Sequence, residues 1–227
     1  MYSGDSKITL ILAAAGVGKR MNLGYPKQFL EVDGKPLFVL ALEVAQKSDL
    51  IKDIVIVTAE ESVKFVTEVC ERYKVSKIKK VISGGEERQY SIENALEYCE
   101  DNSIIAVQDG VRPFLKERYF SESLQMLNEN SNLAGVVVGV PLKDTIKRVD
   151  KSGTVIETPR REEYIAVHTP QVFRATILKE AYRKAREDEF LGTDDSSLVE
   201  RIGVEIKVVV GDYDNIKITT IEDLKFL

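Results

Sequence analysis

The sequence predicts an α/β protein in which a mostly parallel sheet carries helices on both faces. Apolar runs rich in Val and Ile, such as KITLILA (7–13) and DIVIVTA (53–59), recur along the chain. Amphipathic stretches with helical spacing separate these runs. Strands that are apolar at nearly every position are typical of parallel sheets covered on both faces by crossover helices. A polar stretch that starts at Pro141 interrupts this alternation and predicts an arm.

Strands and helices alternate up to that interruption and again after it. Proline suits the first turn of a helix, so Pro36 is predicted to open the first one. The adjacent acids Asp194 and Asp195 are typical of an N-cap and a first-turn acid, and they predict the start of another helix. The predicted strands are 7–13, 53–59, 79–85, 103–110, 133–140, a strand near 164–168, and 204–211. The predicted helices are 36–47, 61–72, 86–99, 116–128 and 175–187, one beginning at 194 and one beginning at 221.

The predicted arm covers about residues 141–161 and has no helical periodicity. Its segments TIKRV (145–149) and TVIET (154–158) flank DKSG, which is a hairpin signal. A hairpin alone is only marginally stable in water, so this one is expected to need a partner surface. We therefore expect a single domain over residues 1–227 with a protruding β-arm inserted in it.

Charge and hydropathy exclude several classes of function. The formal net charge is −5, so the chain has no general positive field to attract nucleic acid. No apolar run approaches the roughly 20 residues of a membrane span, and the start MYSGDSK lacks the features of a signal peptide. We expect a cytoplasmic protein that binds neither nucleic acid nor membrane. Cys70 and Cys99 lack a metal-ligand spacing and are predicted to be small buried apolar residues.

The loop LAAAGVGKRM (12–21) follows the first strand and admits three interpretations. In a dinucleotide-binding loop, Gly16 and Gly18 would fill the first two glycine positions, Met21 would stand at the third, and Glu60 would be the acidic ribose contact. In a Walker P-loop, Gly18 would precede the lysine, but Arg20 stands where a hydroxyl residue should hold the metal. Both motifs are incomplete, which leaves each of them a weak match.

The third interpretation is a cation-lined turn that wraps a triphosphate. Gly16 and Gly18 would expose backbone N–H groups to an anion, and Arg20 would offer a planar fork to phosphate oxygens. Lys27 is a second cation within eight positions of Arg20. Pro26 restrains the backbone just before it. Taken alone, Arg20 and Lys27 could equally be solvated surface charges.

Three further residues bear on this choice. Asp109 follows a predicted strand at its C-terminal end, where open α/β sheets bind ligands, and its carboxylate would suit Mg²⁺ beside a triphosphate. The alternative for Asp109 is a turn-forming Asp-Gly pair. Lys217 follows a turn near the end of the chain, with an exposed strand lysine as the alternative. His168 is the single histidine, and we expect a hydrogen-bonded structural residue rather than a group that titrates in catalysis.

Short motifs in a fixed order give the interpretation a family: LAAAGVGKRM, YPKQFL, GGEERQYSI, QDGVRPF, KDTIKR, HTPQVF, TDDSS and DNIKIT. Their order and spacing resemble those of the 2-C-methyl-D-erythritol 4-phosphate cytidylyltransferases over about residues 8–226. That family makes 4-diphosphocytidyl-2-C-methyl-D-erythritol and pyrophosphate from CTP and the polyol phosphate, in the non-mevalonate isoprenoid pathway. The resemblance implies a Rossmann-like fold of the nucleotide-diphospho-sugar transferase type, Mg²⁺ or another divalent cation, and a homodimer formed through the β-arm.

The resemblance also implies roles for individual residues, carried over by position. Arg20 and Lys27 would stabilise the transition state, and Arg161 and Lys217 would position the sugar phosphate. Nucleotide-binding positions are Ala14, Ala15, Gly16 and Gly18 in the loop and Gly85, Glu86 and Ser91 around cytosine and ribose. Substrate-side positions are Asp109, which is also the implied metal ligand, together with Arg112, Asp144, Thr145, Thr169 and Thr193.

Some positions depart from the family pattern. Ala13 stands where proline is common, and Gly110-Val111 replaces a pair of small residues near the substrate. Glu86 stands where aspartate is usual, so its contact is expected to lengthen or to pass to the backbone. None of these departures removes a charged group that the chemistry needs.

Two other functions stay open at this point. Cytidylyl transfer to ribitol 5-phosphate would use the same nucleotide motifs and differ on the polyol side. A dinucleotide-binding protein without transfer chemistry would use the glycine loop alone. The two are distinguished from the first function by which phosphate, if any, supports release of pyrophosphate from CTP.

Overall fold

The fold is built from eleven strands and six α-helices in the part of the chain that the structure, a computed structural model, describes: residues 7–16 and 24–227. The strands are β1 (Ile8–Ala14), β2 (Glu31–Val32), β3 (Lys35–Pro36), β4 (Ile51–Thr58), β5 (Ile78–Ser83), β6 (Ile104–Asp109), β7 (Leu133–Pro141), β8 (Arg148–Val149), β9 (Val155–Glu157), β10 (Ile165–Arg174) and β11 (Glu205–Val210). The helices are α1 (Leu37–Lys47), α2 (Val63–Arg72), α3 (Arg88–Leu96), α4 (Arg118–Glu129), α5 (Ala175–Glu187) and α6 (Asp195–Arg201). Short 3₁₀ helices cover Lys27–Phe29, Glu60–Ser62, Arg161–Glu163 and Ile221–Phe226.

A seven-stranded sheet with the order β11-β7-β10-β6-β1-β4-β5 forms the centre of the molecule. Every neighbouring pair in it is parallel except the two pairs that involve β10. Two separate two-stranded ladders, β2-β3 and β8-β9, complete the strand pairing of the described residues. The predicted class, a mostly parallel sheet covered by helices, is confirmed.

Helices cover both faces of this sheet, and strand β1 shows why. Leu10 and Leu12 are fully buried in one core, which also contains Phe38 of α1 and residues of α2 and α4. Ile11, which points to the opposite face, is fully buried in a second core with Tyr182 and other residues of α3, α5 and α6. Successive side chains of a strand alternate between faces, so a strand that is apolar throughout needs both cores.

The chain reverses its direction of growth across the sheet at β1. It passes from β1 to β4 and β5 on one side and then returns to β6 on the other side of β1. Ala13 of β1 lies opposite Asp109 of β6, and the Gly110 amide donates to the Ala13 carbonyl at 2.9 Å. The C-terminal ends of two strands at such a switch point leave a crevice, which is where open α/β sheets bind ligands.

Strand β10 is the main departure from the predicted pattern. The sequence predicted a strand near 164–168 that resumes the parallel alternation, whereas β10 runs from Ile165 to Arg174, antiparallel to both β6 and β7. The chain reaches β10 from β7 through the arm, without a crossover helix, so the two strands can run in opposite directions. Its pairing with β7 shifts register between Val167 and Gln171.

The arm contains the predicted hairpin in a shorter form. Arg148 pairs with Glu157 and Val149 with Val155, and the Asp150 carboxylate accepts the Ser152 and Thr154 amides at 2.8 and 3.0 Å in the turn.

Two helix predictions need correction. Helix α3 begins at residue 88 rather than 86, because the glycine turn before it extends further, and the closing segment from residue 221 is a 3₁₀ helix. None of the helices in the described ranges is both long and apolar enough to span a membrane.

Candidate active site

A cavity of about 740 Å³ opens at the C-terminal ends of β1, β5 and β6, at the switch point. Six parts of the chain contribute its walls: the end of β1, the 3₁₀ helix at residue 27, the turn after β4, the turn after β5 with the start of α3, the end of β6, and the segment that follows β11. The lining residues are Ala13, Ala14, Ala15, Gly16, Lys27, Gln28, Ala59, Glu60, Glu61, Gly84, Gly85, Glu86, Glu87, Arg88, Ser91, Asp109, Val111, Lys217 and Thr219.

The end of β1 is fixed to the neighbouring segments through the Ala14 carbonyl. The Gln28 side-chain amide donates to that oxygen at 2.5 Å, and the Thr58 hydroxyl donates to it at 3.3 Å. Gln28 is buried in the short helix that also carries Lys27, whose side chain is buried at the cavity wall. These bonds fix the short helix that carries Lys27 against the end of β1.

The turn after β5 packs against the end of β1 closely enough to require glycine at residue 84. A Cβ atom there would lie 2.6 Å from the Ser91 hydroxyl oxygen and 2.9 Å from the Ala15 Cβ atom. The Ser91 hydroxyl accepts the Gly85 amide at 3.1 Å and donates to the Glu87 carbonyl at 3.0 Å. The turn is therefore held by the first residues of α3 and presents its backbone to the cavity.

Asp109 lies at the base of the cavity and is surrounded by basic side chains. Its carboxylate is 2.7 Å from the Lys217 ammonium, 3.4 Å from Arg88 Nε and 3.8 Å from Arg112 Nε. Burial alone would raise the pKa of the Asp109 carboxyl, but the charges of Arg88, Lys217 and Arg112 together lower it to about 2. Asp109 is therefore ionised at any physiological pH, and its amide donates to the Thr169 hydroxyl at 3.1 Å.

Arg88 is held on its other side by a second carboxylate. Its Nη2 atom is 2.7 Å from Asp195 Oδ2, and Asp195 is fully buried at the first residue of α6. The Tyr182 hydroxyl donates to the other oxygen of Asp195. The prediction of a cap at this helix is confirmed, because Asp194 Oδ1 accepts the Ser197 amide at 2.9 Å, but Asp195 does more than supply a first-turn charge.

Lys217 is carried by an extended segment that two further contacts fix. Arg112 Nη1 donates to the Asn215 carbonyl at 2.6 Å, and the Ile218 amide donates to the Val111 carbonyl at 2.9 Å. These bonds tie the segment to the loop directly after β6, which carries Asp109. The two residues of the 2.7 Å ion pair are thus positioned by backbone bonds as well as by their own attraction.

The structure brings together most of the predicted site residues that it describes. Those that line the cavity are the nucleotide positions Ala14, Ala15, Gly16, Gly85, Glu86 and Ser91, the predicted catalytic residues Lys27 and Lys217, and Asp109, predicted on the substrate side and as metal ligand. Arg112 and Thr169 contact Asp109 from outside the lining. The predicted residues that lie away from the cavity walls are Asp144, Thr145, Arg161 and Thr193, all exposed. Gly18 and Arg20, on which the three interpretations of the loop depend, lie outside the described residues.

Sequence reasoning missed Arg88 and Gln28, and it missed that Asp195 pairs with Arg88. Arg88 follows the glycine turn at the C-terminal end of β5, and that position in an α/β sheet was a usable signal. His168 was also predicted to be hydrogen-bonded, but its Nδ1 atom is buried without a hydrogen-bond partner among the described residues. Its pKa falls to about 4, because of burial and because of the charge of Arg112.

The donor atoms of the cavity bear on the implied divalent cation. Within residues 7–16 and 24–227, no three His, Cys, Asp or Glu side chains are grouped so as to hold a metal ion. Asp109 does supply one ionised carboxylate at the base of the cavity. Mg²⁺ is commonly bound by one or two carboxylates together with substrate phosphates and water, so this donor set fits it when a nucleotide is present.

Comparison with known proteins agrees with the geometry. The family model for 2-C-methyl-D-erythritol 4-phosphate cytidylyltransferase matches residues 8–226. A protein of that name from Fusobacterium nucleatum is 51% identical over the full length of both chains, and one from Alkaliphilus metalliredigens is 43% identical over 96% of this chain and 90% of its own. The crystal structure of 4-diphosphocytidyl-2C-methyl-D-erythritol synthase from Anaerococcus prevotii superposes with a TM-score of 0.85 at 32% identity, over 98% of this chain and 94% of that one. The chain therefore belongs to the 2-C-methyl-D-erythritol 4-phosphate cytidylyltransferase family.

Proposed function

We propose that this protein transfers the cytidylyl group of CTP to 2-C-methyl-D-erythritol 4-phosphate, forming 4-diphosphocytidyl-2-C-methyl-D-erythritol and pyrophosphate in the non-mevalonate isoprenoid pathway. The observation that carries the proposal is the cavity at the switch point, where basic side chains surround the carboxylate of Asp109. The names of the relatives support the same substrates. Family membership and cavity chemistry therefore agree on a nucleotidyltransferase.

The reaction needs positive charge more than it needs a base. The phosphate of the polyol is already a nucleophile, and its oxygen attacks the α-phosphorus of CTP in line while pyrophosphate leaves. Two anions must meet and the leaving group gains charge, so catalysis rests on positioning and preorganised cations. Lys27 and Lys217 line the cavity and fit this task, and we propose that Arg20 joins them.

The turn at residues 84–91 fits the cytosine and ribose side of the nucleotide. Gly85 exposes its backbone at the cavity, and the Ser91 hydroxyl is buried behind it. Glu86 is exposed at the cavity rim, where its carboxylate is an acceptor of the kind that the exocyclic amine of cytosine needs. We therefore assign the base to this side and the triphosphate to the side of Lys27 and Lys217.

We propose Mg²⁺ as the divalent cation, with Asp109 as its protein ligand. The carboxylate stands beside the cavity in ionised form, and triphosphate oxygens would complete the donor set. When bound, the cation would neutralise charge on the phosphates. Within this chain, the Asp109 carboxylate forms ion pairs with Lys217 and Arg88. These ion pairs keep both cations turned toward the nucleotide.

The polyol side is proposed to need a second copy of the chain. Asp144, Thr145 and Arg161 are exposed and do not line the cavity of their own chain, although the family resemblance gives them substrate-side roles. The arm that carries them also exposes Val149, Val155 and Ile156, each at least half accessible. Exposed apolar residues on a short hairpin favour a homodimer in which the arm of one chain completes the site of the other.

We propose a cytoplasmic location for this enzyme. Its free thiols at Cys70 and Cys99 are both buried, which fits a compartment where disulfides are rare. Nucleic acid is not an expected partner at a net charge of −5.

The test is a comparison of two polyol phosphates. Pyrophosphate release from CTP is measured with Mg²⁺ and either 2-C-methyl-D-erythritol 4-phosphate or ribitol 5-phosphate, with no polyol as the background. We expect release with the methylerythritol phosphate. Release with ribitol 5-phosphate alone would assign the sister activity instead. Binding of NADH without protection by CTP against thermal unfolding would point to a dinucleotide-binding protein.

A further inference from the structure

A line of contacting side chains, buried except for the partly exposed Arg88, runs from the interior of the molecule to the base of the cavity. It begins at Tyr182 on α5, whose hydroxyl donates to Asp195. It continues through the 2.7 Å contact between Asp195 and Arg88 Nη2 and ends with Arg88 Nε, 3.4 Å from Asp109 Oδ1. Hydrogen bonds and ion pairs thus connect α5, α6 and α3 to Asp109, the residue at the centre of the candidate site.

Arg88 differs from Lys217 in how it is held. The two side chains are about equally exposed, at 33% and 38%, and both pair with Asp109. Within the described ranges, the ion pairs of Lys217 involve Asp109 alone, whereas Arg88 has Asp195 as a second anionic partner. Lys217 can therefore exchange its carboxylate for a phosphate, while Arg88 stays fixed between two carboxylates.

The backbone around Asp195 leaves this carboxylate little freedom. Gln89, next to Arg88, donates to the Phe190 carbonyl at 3.0 Å and accepts the Gly192 amide at 2.9 Å. The start of α3 and the loop before α6 are thereby joined independently of the ion pair. Asp195 has no accessible surface, so water does not compete with Arg88 for its carboxylate.

We infer that Asp195, supported by Tyr182, is a positioning residue for the cytidylyl transfer: it fixes Arg88, and Arg88 fixes the orientation of the Asp109 carboxylate toward the entering nucleotide and its divalent cation. This inference rests on the proposed function. A carboxylate with two rotatable torsions, paired only with side chains that lack a second carboxylate partner, would otherwise be free to sample several orientations. Residues that orient a metal-binding group typically change affinity or activity about 10- to 100-fold when they are removed.

The experiment compares Asp195→Asn with Asp188→Asn in the full-length protein. Asp188, at the C-terminal end of α5, makes a 2.6 Å ion pair with Arg201 of α6 and is not among the residues that line the cavity. Asp188→Asn is therefore the control for losing an Asp–Arg ion pair at α6 away from the site. Tyr182→Phe removes one hydrogen bond to Asp195 and serves if Asp195→Asn does not fold. Steady-state kcat and KM are measured by pyrophosphate release, CTP binding by calorimetry with Mg²⁺ and with EDTA, and folding by thermal unfolding.

We expect kcat/KM of Asp195→Asn to fall about 10- to 100-fold, Tyr182→Phe to fall less in the same direction, and Asp188→Asn to be unchanged. CTP affinity should fall in Mg²⁺ but not in EDTA, because the effect passes through Asp109. The double variant Arg88→Ala/Asp195→Asn should be no worse than Arg88→Ala alone.

Three results would overturn the inference: wild-type kinetics in both Asp195→Asn and Tyr182→Phe, equal weakening of CTP binding with and without Mg²⁺, or losses that add in the double variant. A failure of the proposed function is a separate result, since the wild-type protein would then release no pyrophosphate with either polyol phosphate. In that case the calorimetric comparison with and without Mg²⁺ still decides whether Asp195 acts on CTP binding through Asp109.

Discussion

The cavity and the β-arm hold their charged residues in opposite ways. In the cavity, the Asp109 side chain is 8% exposed and has basic groups at 2.7 and 3.4 Å, which are themselves fixed by backbone or by buried partners. On the arm, the Arg161 side chain is 47% exposed, donates to the Lys143 carbonyl and lies 3.6 Å from Glu162. In the proposed function, one chain therefore supplies the nucleotide side of the site, and the arm residues act on the site of a second copy.

The largest expected effect comes from removing a cation on the completed side. Lys217→Ala should lower kcat about 10²–10³-fold, or roughly 3–4 kcal/mol in the barrier, because a preorganised donor to the transition state is lost. Lys116→Ala is the matched control, since its side chain is 40% exposed, pairs with Asp214 at 2.8 Å and does not line the cavity. Pyrophosphate release and melting temperature are measured together. Equal losses in both variants would make Lys217 an ordinary surface charge.

The next effect tests whether the arm completes the site of another copy. Lys27→Ala and Arg161→Ala are each expected to be inactive, because each removes a charge that every site needs. When the two variants are mixed and exchange subunits, the mixture should recover about a quarter of wild-type activity. About half of the dimers are then hybrids, and each hybrid has one intact site out of two. Exchange is verified with differently tagged subunits. No recovery despite verified hybrids would place Arg161 at its own chain's site or outside both.

A third prediction concerns what covers the apolar residues of the arm. Ile156 is 50% exposed in one chain, so Ile156→Asp should break the proposed dimer by burying an unpaired charge at its interface. Ile221→Asp is the control, because Ile221 is 60% exposed and lies off the arm. Analytical ultracentrifugation should give monomers for the first variant and dimers for the second. A wild-type protein that sediments as a monomer would remove the basis of this prediction.

The same contrast between regions explains which parts of the site could be predicted from sequence. Asp109 ends a predicted strand, and the C-terminal ends of such strands meet at one edge of the sheet, so its place at the ligand edge could be predicted from strand periodicity. Gly85 and Lys217 were grouped with it through the order of the family motifs. Asp195 was predicted as a helix-start acid, and its contact with Arg88 depends on the packing of α6 against α3 across 107 positions. Local sequence patterns carry no information about such a pair.

Strand β10 shows the same limit for the fold. Its apolar residues predicted a strand near 164–168, but the observed strand runs to Arg174, and its antiparallel direction depends on the arm that precedes it. Helix α5 was predicted with its observed bounds, 175–187, because its buried face has helical spacing along the sequence. Elements defined by their own periodicity were predictable, and those defined by their neighbours were not.

The smallest expected effect concerns His168, which lies on β10 next to Thr169. Burial and the charge of Arg112 lower the pKa of His168 from 6.5 to about 4, and the buried Nδ1 atom has no hydrogen-bond partner among the described residues. Because this is the single histidine of the chain, its imidazole C2 proton can be followed by NMR without assignment. The signal should stay constant from neutral pH down to about pH 5, and it should titrate near 6.5 once the protein is unfolded in urea.

The sign of the effect on stability follows from that difference. Between pH 6.5 and about 4 the unfolded chain binds a proton at His168 and the folded chain does not, so the stability contributed by the neutral imidazole is complete above pH 6.5 and is lost as the pH falls. His168→Asn should therefore show a weaker loss of urea stability between pH 7 and pH 5 than the wild type, with kcat unchanged at neutral pH. A native-state midpoint near 6.5 would contradict the burial of this ring, and a loss of kcat in His168→Asn at neutral pH would mean that this residue of β10 takes part in the chemistry.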